Sequence, residues 1–202
     1  MKIFALAALA AAAVACDTAA QTGRELGLRR VDGRTIASPA NPRATIEVAD
    51  GFRYVGGQQF VLYGVANAEQ HFFVDAAADG TVRRLYWLQF EGYLPDNTSQ
   101  YRYASPDVRR IGPFDFFVDV LTTSPNPPRS GSDSEHMRDF LQQHGFKLTS
   151  SAGAVRFVHL TDATKRNELM IIYRESGDAS QAAVSPEALI ARGMSGLRIE
   201  SP

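Results

Sequence analysis

The sequence predicts an α+β domain built on a curved, mostly antiparallel sheet, a meander of strands joined by two helices in the C-terminal half. Three observations predict it. Between residues 44 and 121, β-branched and aromatic residues alternate with polar ones in runs bounded by turn residues. The connections between these runs are short, which favours antiparallel neighbours because parallel ones need a long crossover. Beyond residue 131 the apolar period becomes helical at two places, with a strand pair between them. A closed barrel with peripheral helices is the alternative architecture.

Residues 44–49 read as the first strand, and Asp50-Gly51 as a hairpin turn, since glycine accepts a positive φ. The second strand is 52–65, with a bulge or bend at Gly56-Gly57. The third is 69–77, turned by Asp79-Gly80 into a fourth, 82–94, which Pro95-Asp96-Asn97 ends. Residues 101–104 read as a short edge strand and 114–121 as a further strand. Ser132 and Glu135 fit a capping box, Met137, Phe140 and Leu141 share one helix face, and Gly145 is the stop. Residues 155–161 and 168–175 form a second hairpin. Ser185-Pro186-Glu187 opens the last helix as cap, N1 proline and early acid, and Gly193 ends it.

The chain has 202 residues, 45% hydrophobic and 21% charged, an ordinary globular composition. Its formal charge of −1, with no basic stripe, argues against a nucleic-acid partner. Met1-Lys2 precede thirteen uncharged apolar residues, 3–15, the length of a signal-peptide core and short for a membrane span. The run closes on Ala13-Val14-Ala15-Cys16, and Cys16 is the only cysteine, so no internal disulfide forms. These four residues resemble the lipobox of bacterial lipoproteins, with Ala13 where that motif prefers leucine. The resemblance covers the signal alone. It implies cleavage before Cys16 and a diacylglycerol on its sulfur. Ala13-x-Ala15 also fits ordinary signal cleavage, which would release a soluble periplasmic or secreted protein. The expected organisation is therefore a signal peptide at 1–15, the lipid-anchor cysteine and a tether at 16–43, and one globular domain at 44–202. The expected location is the periplasmic side of the cell envelope, with the membrane as a partner through the anchor.

The fourth strand carries the one suggestive surface. Its even positions, among them Tyr86, Leu88 and Phe90, read as the core face. Its odd positions place Trp87, Gln89, Glu91 and Tyr93 together, aromatic bodies with polar tips, as a ligand wall would. The third strand puts Glu69 and His71 on one face by the same rule, and alignment of the two faces would bring all six residues to one patch. Asp115 and Asp119 share a face with Phe117 and are candidates to join it. An ordinary solvated sheet face carries the same mixture.

No catalytic or cofactor motif is present. The four histidines, His71, His136, His144 and His159, have no metal-ligand spacing, and no cofactor is implied. Gly193-Met194-Ser195-Gly196 lacks the last glycine of a nucleophile elbow and follows a helix where the elbow follows a strand. The expected function is an envelope binding or accessory module that holds a small molecule, a glycan or an envelope protein on the aromatic and polar sheet face. Two alternatives stay open: an envelope hydrolase pairing Glu91 or Asp115 with another acid or His71, and a structural scaffold lipoprotein.

Overall fold

The computed structural model of the chain describes residues 25–27, 29–121, 126–149, 152–177 and 184–201. The signal segment, the lipobox and Cys16 lie outside the described residues. The elements are β1 (Glu25–Leu26), β2 (Arg29–Asp32), β3 (Thr35–Ser38), β4 (Ala44–Val48), β5 (Arg53–Leu62), β6 (Ala66–Ala76), β7 (Val82–Tyr93), β8 (Val108–Ile111), β9 (Phe114–Leu121), α1 (Asp133–Gln143), β10 (Ala152–Leu160), β11 (Asn167–Ser176), α2 (Pro186–Ser195) and β12 (Leu197–Glu200). No described helix is long and apolar enough to cross a membrane.

The fold is α+β with antiparallel pairing between all the named strands, both where short connections favour it and between β4 and β12, β7 and β11, and β9 and β10, which no short connection joins. It is not one sheet but two. A five-stranded sheet has the order β1-β2-β3-β4-β12, and a seven-stranded sheet the order β5-β6-β7-β11-β10-β9-β8. The larger sheet ends at β5 on one side and β8 on the other, so it is not a closed barrel. Nor do its strands follow sequence order throughout, because β11 inserts beside β7.

Three layers result. One core lies between the sheets: Val31, Ile36, Ile46, Val48 and Ile199 of the small sheet pack with Phe73, Tyr86, Leu88, Phe90, Phe116, Phe157 and Ile171 of the large one, and α2 adds Leu189 and Ile190. A second core lies on the opposite face, where Phe140 and Leu141 of α1 cover Phe72, Val74, Leu85, Trp87 and Ile172. We call these the inner face and the helix face. Both faces of β6 and β7 are therefore buried along most of their length.

Several sequence expectations need correction. Asp50-Gly51 is not a hairpin: Gly51 takes φ 87°, but the chain there passes from β4 in the small sheet to β5 in the large one. The 16–43 segment, read as a tether, carries β1, β2 and β3. Residues 101–104 form no strand, and the edge of the large sheet is β8. The last helix passes Gly193 and stops at Ser195, capped by Gly196. Gly193 lies inside, where a Cβ would sit 3.0 Å from the Phe157 ring, so its role is close packing and not termination.

Other local readings are realised. Ser132 caps α1 by accepting from the Glu135 N–H at 3.1 Å, but the Glu135 carboxylate reaches one residue past the cap, to the Gly131 N–H at 2.7 Å, because the Ser132 N–H is bonded to the Arg129 carbonyl. Asp79-Gly80 turns β6 into β7, with Gly80 at φ 85°. The register of β5 on β6 shifts between Tyr54 and Gly56, at the glycine pair.

Candidate functional site

Residues paired directly across an antiparallel ladder share a face. In β6 and β7, Glu69 pairs with Phe90 and His71 with Leu88, whereas Gln70 pairs with Gln89 and Phe72 with Trp87. Glu69 and His71 therefore belong to the inner face, and Trp87, Gln89, Glu91 and Tyr93 to the helix face. The six residues do not converge on one patch. Trp87 is 2% exposed within the core under α1, so it forms no ligand wall.

On the inner face the polar residues form a buried relay. Arg29 of β2 donates from Nη1 to Glu69 Oε2 at 2.9 Å, and Glu69 Oε1 lies 2.8 Å from His71 Nε2. A carboxylate only accepts, so the His71 Nε2 carries the proton, and in the neutral ring Nδ1 accepts from the Tyr54 hydroxyl at 3.1 Å. Arg29 Nη2 donates to the carbonyls of Ala40 and Asn41, and the guanidinium lies 3.7 Å over the Phe90 ring. Burial works against the Arg29 cation and the neighbouring Glu69 supports it. Thus one side chain ties the small sheet, the 40–41 turn and the large sheet together.

This joint forms the wall of a cleft of about 560 Å³. Side chains of the inner face, Gln59, Val61, Asn67, Glu69 and Phe90, line it together with Arg29, Asn41 and Asn167. Two glycines leave the space open. A Cβ at Gly27 would lie 1.9 Å from Gln59 Nε2, and one at Gly92 2.4 Å from Asn167 Oδ1. Tyr93 and Pro95 border the cleft at the end of β7.

On the helix face a ladder of amides leads to a carboxyl. Gln58 Nε2 donates to Gln70 Oε1 at 2.8 Å, Gln70 Nε2 to Gln89 Oε1 at 2.7 Å, and Gln89 Nε2 to Glu91 Oε2 at 2.6 Å. Two of these amides also hold α1, through the carbonyls of His136 and Asp133. Tyr101 donates to Glu91 Oε1 at 2.7 Å. Directly opposite Glu91 in the ladder stands Glu168 of β11, which accepts from the Tyr103 hydroxyl at 2.5 Å. Desolvation pushes both carboxyls above the ordinary range, Glu168 to about 8, with the Glu91 charge adding to the effect on Glu168.

Asp115 and Asp119 also lie on the helix face, on β9, but three strands from β7, roughly 14 Å at ~4.8 Å per strand. Each is committed to an arginine, Asp115 to Arg110 and Asp119 to Arg156. His136 stacks on Phe60, His144 on Phe140, and His159 lies against Phe114. Among the described residues no group of three or more His, Cys, Asp or Glu side chains is placed to hold a metal ion. Sequence reasoning missed Arg29 and Glu168, and also the cleft carboxamides Asn41, Gln59, Asn67 and Asn167 and the buried Gln70. For Arg29 the signal was Asp32-Gly33 between two short runs of period two.

No family model matches the chain, and neither the curated proteins nor the solved structures compared with it provide a match.

Proposed function

We propose that the protein is a cell-envelope binding module, anchored through Cys16, that holds a neutral, polyhydroxylated ligand such as a glycan segment in the cleft beside Arg29 and Glu69. The observation that carries this reading is the chemistry of the lining. The guanidinium and carboxylate compensate one another, so neither is left for an ionised ligand. Four more of the lining residues are carboxamides, Asn41, Gln59, Asn67 and Asn167, each both donor and acceptor, while Glu91 and Tyr93 lie at the rim on the helix face, where the Glu91 carboxylate accepts from Gln89 and Tyr101. Hydroxyl groups donate and accept in the same way. Val61 and the Phe60 and Tyr93 positions supply apolar surface at the border, suited to the C–H face of a sugar ring.

The hydrolase reading has one observation on its side, the facing carboxyls of Glu91 and Glu168. Both are capped by tyrosine hydroxyls, and Glu168 is 3% exposed, so binding is the better supported reading. The envelope location rests on the lipobox resemblance, and three exposed apolar residues beside the cleft, Val61, Tyr63 and Val65, suit contact with an envelope surface. A glycan array probed with the purified protein tests the ligand class. Retention on neutral oligosaccharides is expected, weakened at least tenfold by Asn67→Ala. Retention on sulfated or carboxylated glycans alone would contradict the reading.

A further inference from the structure

Residues 94–107 join β7 to β8 without forming helix or strand. A connection of this length inside a compact domain is uncommon unless it has a job. It runs as a strap over the end of the helix face, and its fixings are known. Tyr101 and Tyr103 donate to Glu91 and Glu168, Tyr101 N–H donates to the Lys165 carbonyl at 2.8 Å, and Arg166 reaches the carbonyls of Leu94, Asn97 and Ser99. Tyr101 stacks on Tyr93 and Tyr103 on Phe117.

Beneath the strap two carboxyls oppose each other across the β7–β11 ladder, where like charges destabilise the pair. The groups facing them are the Tyr101 and Tyr103 hydroxyls from the strap, Tyr93 of β7, Asp133 from α1 and Arg156 from β10. Arg156 is the cation among these, and it is already bonded to Asp119 at 2.8 Å while lying over the Tyr103 ring. The pair therefore lacks the positive charge needed to hold both carboxylates ionised out of water.

We propose that the strap is a proton-operated lid, closed over the helix face while the Glu91–Glu168 pair keeps a proton and released when both carboxyls ionise and take up water. The sign follows from linkage. In the closed state Glu168 titrates near 8, well above the ordinary 4.5 to which hydration returns it. Closure is therefore fully favoured below about pH 4.5 and weakens as pH rises to about 8. Release uncovers the Glu91 end of the Gln70–Gln89–Glu91 row. Because Tyr93 and Pro95 also border the cleft, it loosens that border as well.

Hydrogen exchange on the full chain tests the lid, with each amide corrected for its intrinsic base-catalysed rate. The protection of the Tyr101 and Asn97 amides should fall by up to about tenfold per pH unit between pH 5 and 8, the slope for one proton, and then level off. Amides in the centre of β7 and β11 should keep their protection. Glu168→Gln should abolish the slope at the strap. Glu91→Gln removes a charge that raises Glu168, and should move the transition to lower pH with the strap still responsive. A strap whose protection does not change with pH, an unchanged slope in Glu168→Gln, or a parallel loss in β7 and β11 would each overturn the proposal. If Glu168→Gln does not fold, the direction of the Glu91→Gln shift decides.

Discussion

Replacing Glu69 by alanine should cost about 3–5 kcal/mol of stability, the range found when one partner of a buried ion pair is removed. The carboxylate bonds Arg29 and His71 at once, and all three residues are buried. Without it the guanidinium keeps only the carbonyls of Ala40 and Asn41, and its Nε has no hydrogen-bond partner among the described residues. Removing both partners leaves no orphaned charge. The Arg29→Ala, Glu69→Ala double variant should therefore lose clearly less than the sum of the single losses. Urea denaturation measures this as a fall in midpoint at constant m-value. A loss below ~1 kcal/mol for Glu69→Ala, the size typical of an exposed pair, would mean that water already reaches the guanidinium.

Tyr86→Ala should cost a similar amount, about 3–5 kcal/mol, through a different mechanism. Its ring is fully buried between Phe52 and Tyr173, and its hydroxyl donates to the Gly193 carbonyl at 2.8 Å. The side chain thus spans from the large sheet to the last turn of α2, and a Cβ at Gly196 would lie 2.1 Å from its oxygen. Burial and the neighbouring Tyr173 raise the hydroxyl above its ordinary range, so it stays a donor. Tyr86→Phe keeps the ring and loses only the bond, with an expected cost of about 1–3 kcal/mol for the orphaned carbonyl. Thermal unfolding of the two variants separates the terms. Equal losses would contradict the packing role given to the ring.

The contrast between these two sites shows what the sequence could convey. Tyr86 was legible as core because alternation along β7 marks Tyr86, Leu88 and Phe90 as one apolar face. The opposite face was harder. Glutamines and a glutamate next to aromatics look like solvated surface, yet Gln70 and Gln89 are fully buried because both amides are bonded along the ladder and Gln70 is also bonded to α1. A signal of two-sided burial was present in the unbroken apolar run Leu85-Tyr86-Trp87-Leu88, which a one-faced strand does not carry.

Pairing was out of reach for a different reason. Period two says which side chains of one strand share a face, but not which face of the next strand joins them, since a one-residue shift exchanges them all. That is why Glu69 and His71 were grouped with Trp87, Gln89, Glu91 and Tyr93 and lie instead across the sheet from them. Arg29 was hidden because its partner is forty positions away. The small sheet needs β12, at the far end of the described chain, to complete it. Long-range pairing of this kind leaves no local mark, whereas the caps of α1 and α2, written within four residues, were read at once.

The ligand-binding role of the cleft is tested most directly at its own amides. Side-chain NH₂ signals of Asn41, Gln59, Asn67 and Asn167 can be followed by nuclear magnetic resonance while a neutral oligosaccharide retained on the array is added. The account expects these four to shift together and saturably, with the Gln70 and Gln89 amides unmoved. Saturable binding that leaves all four still and perturbs another surface would contradict it.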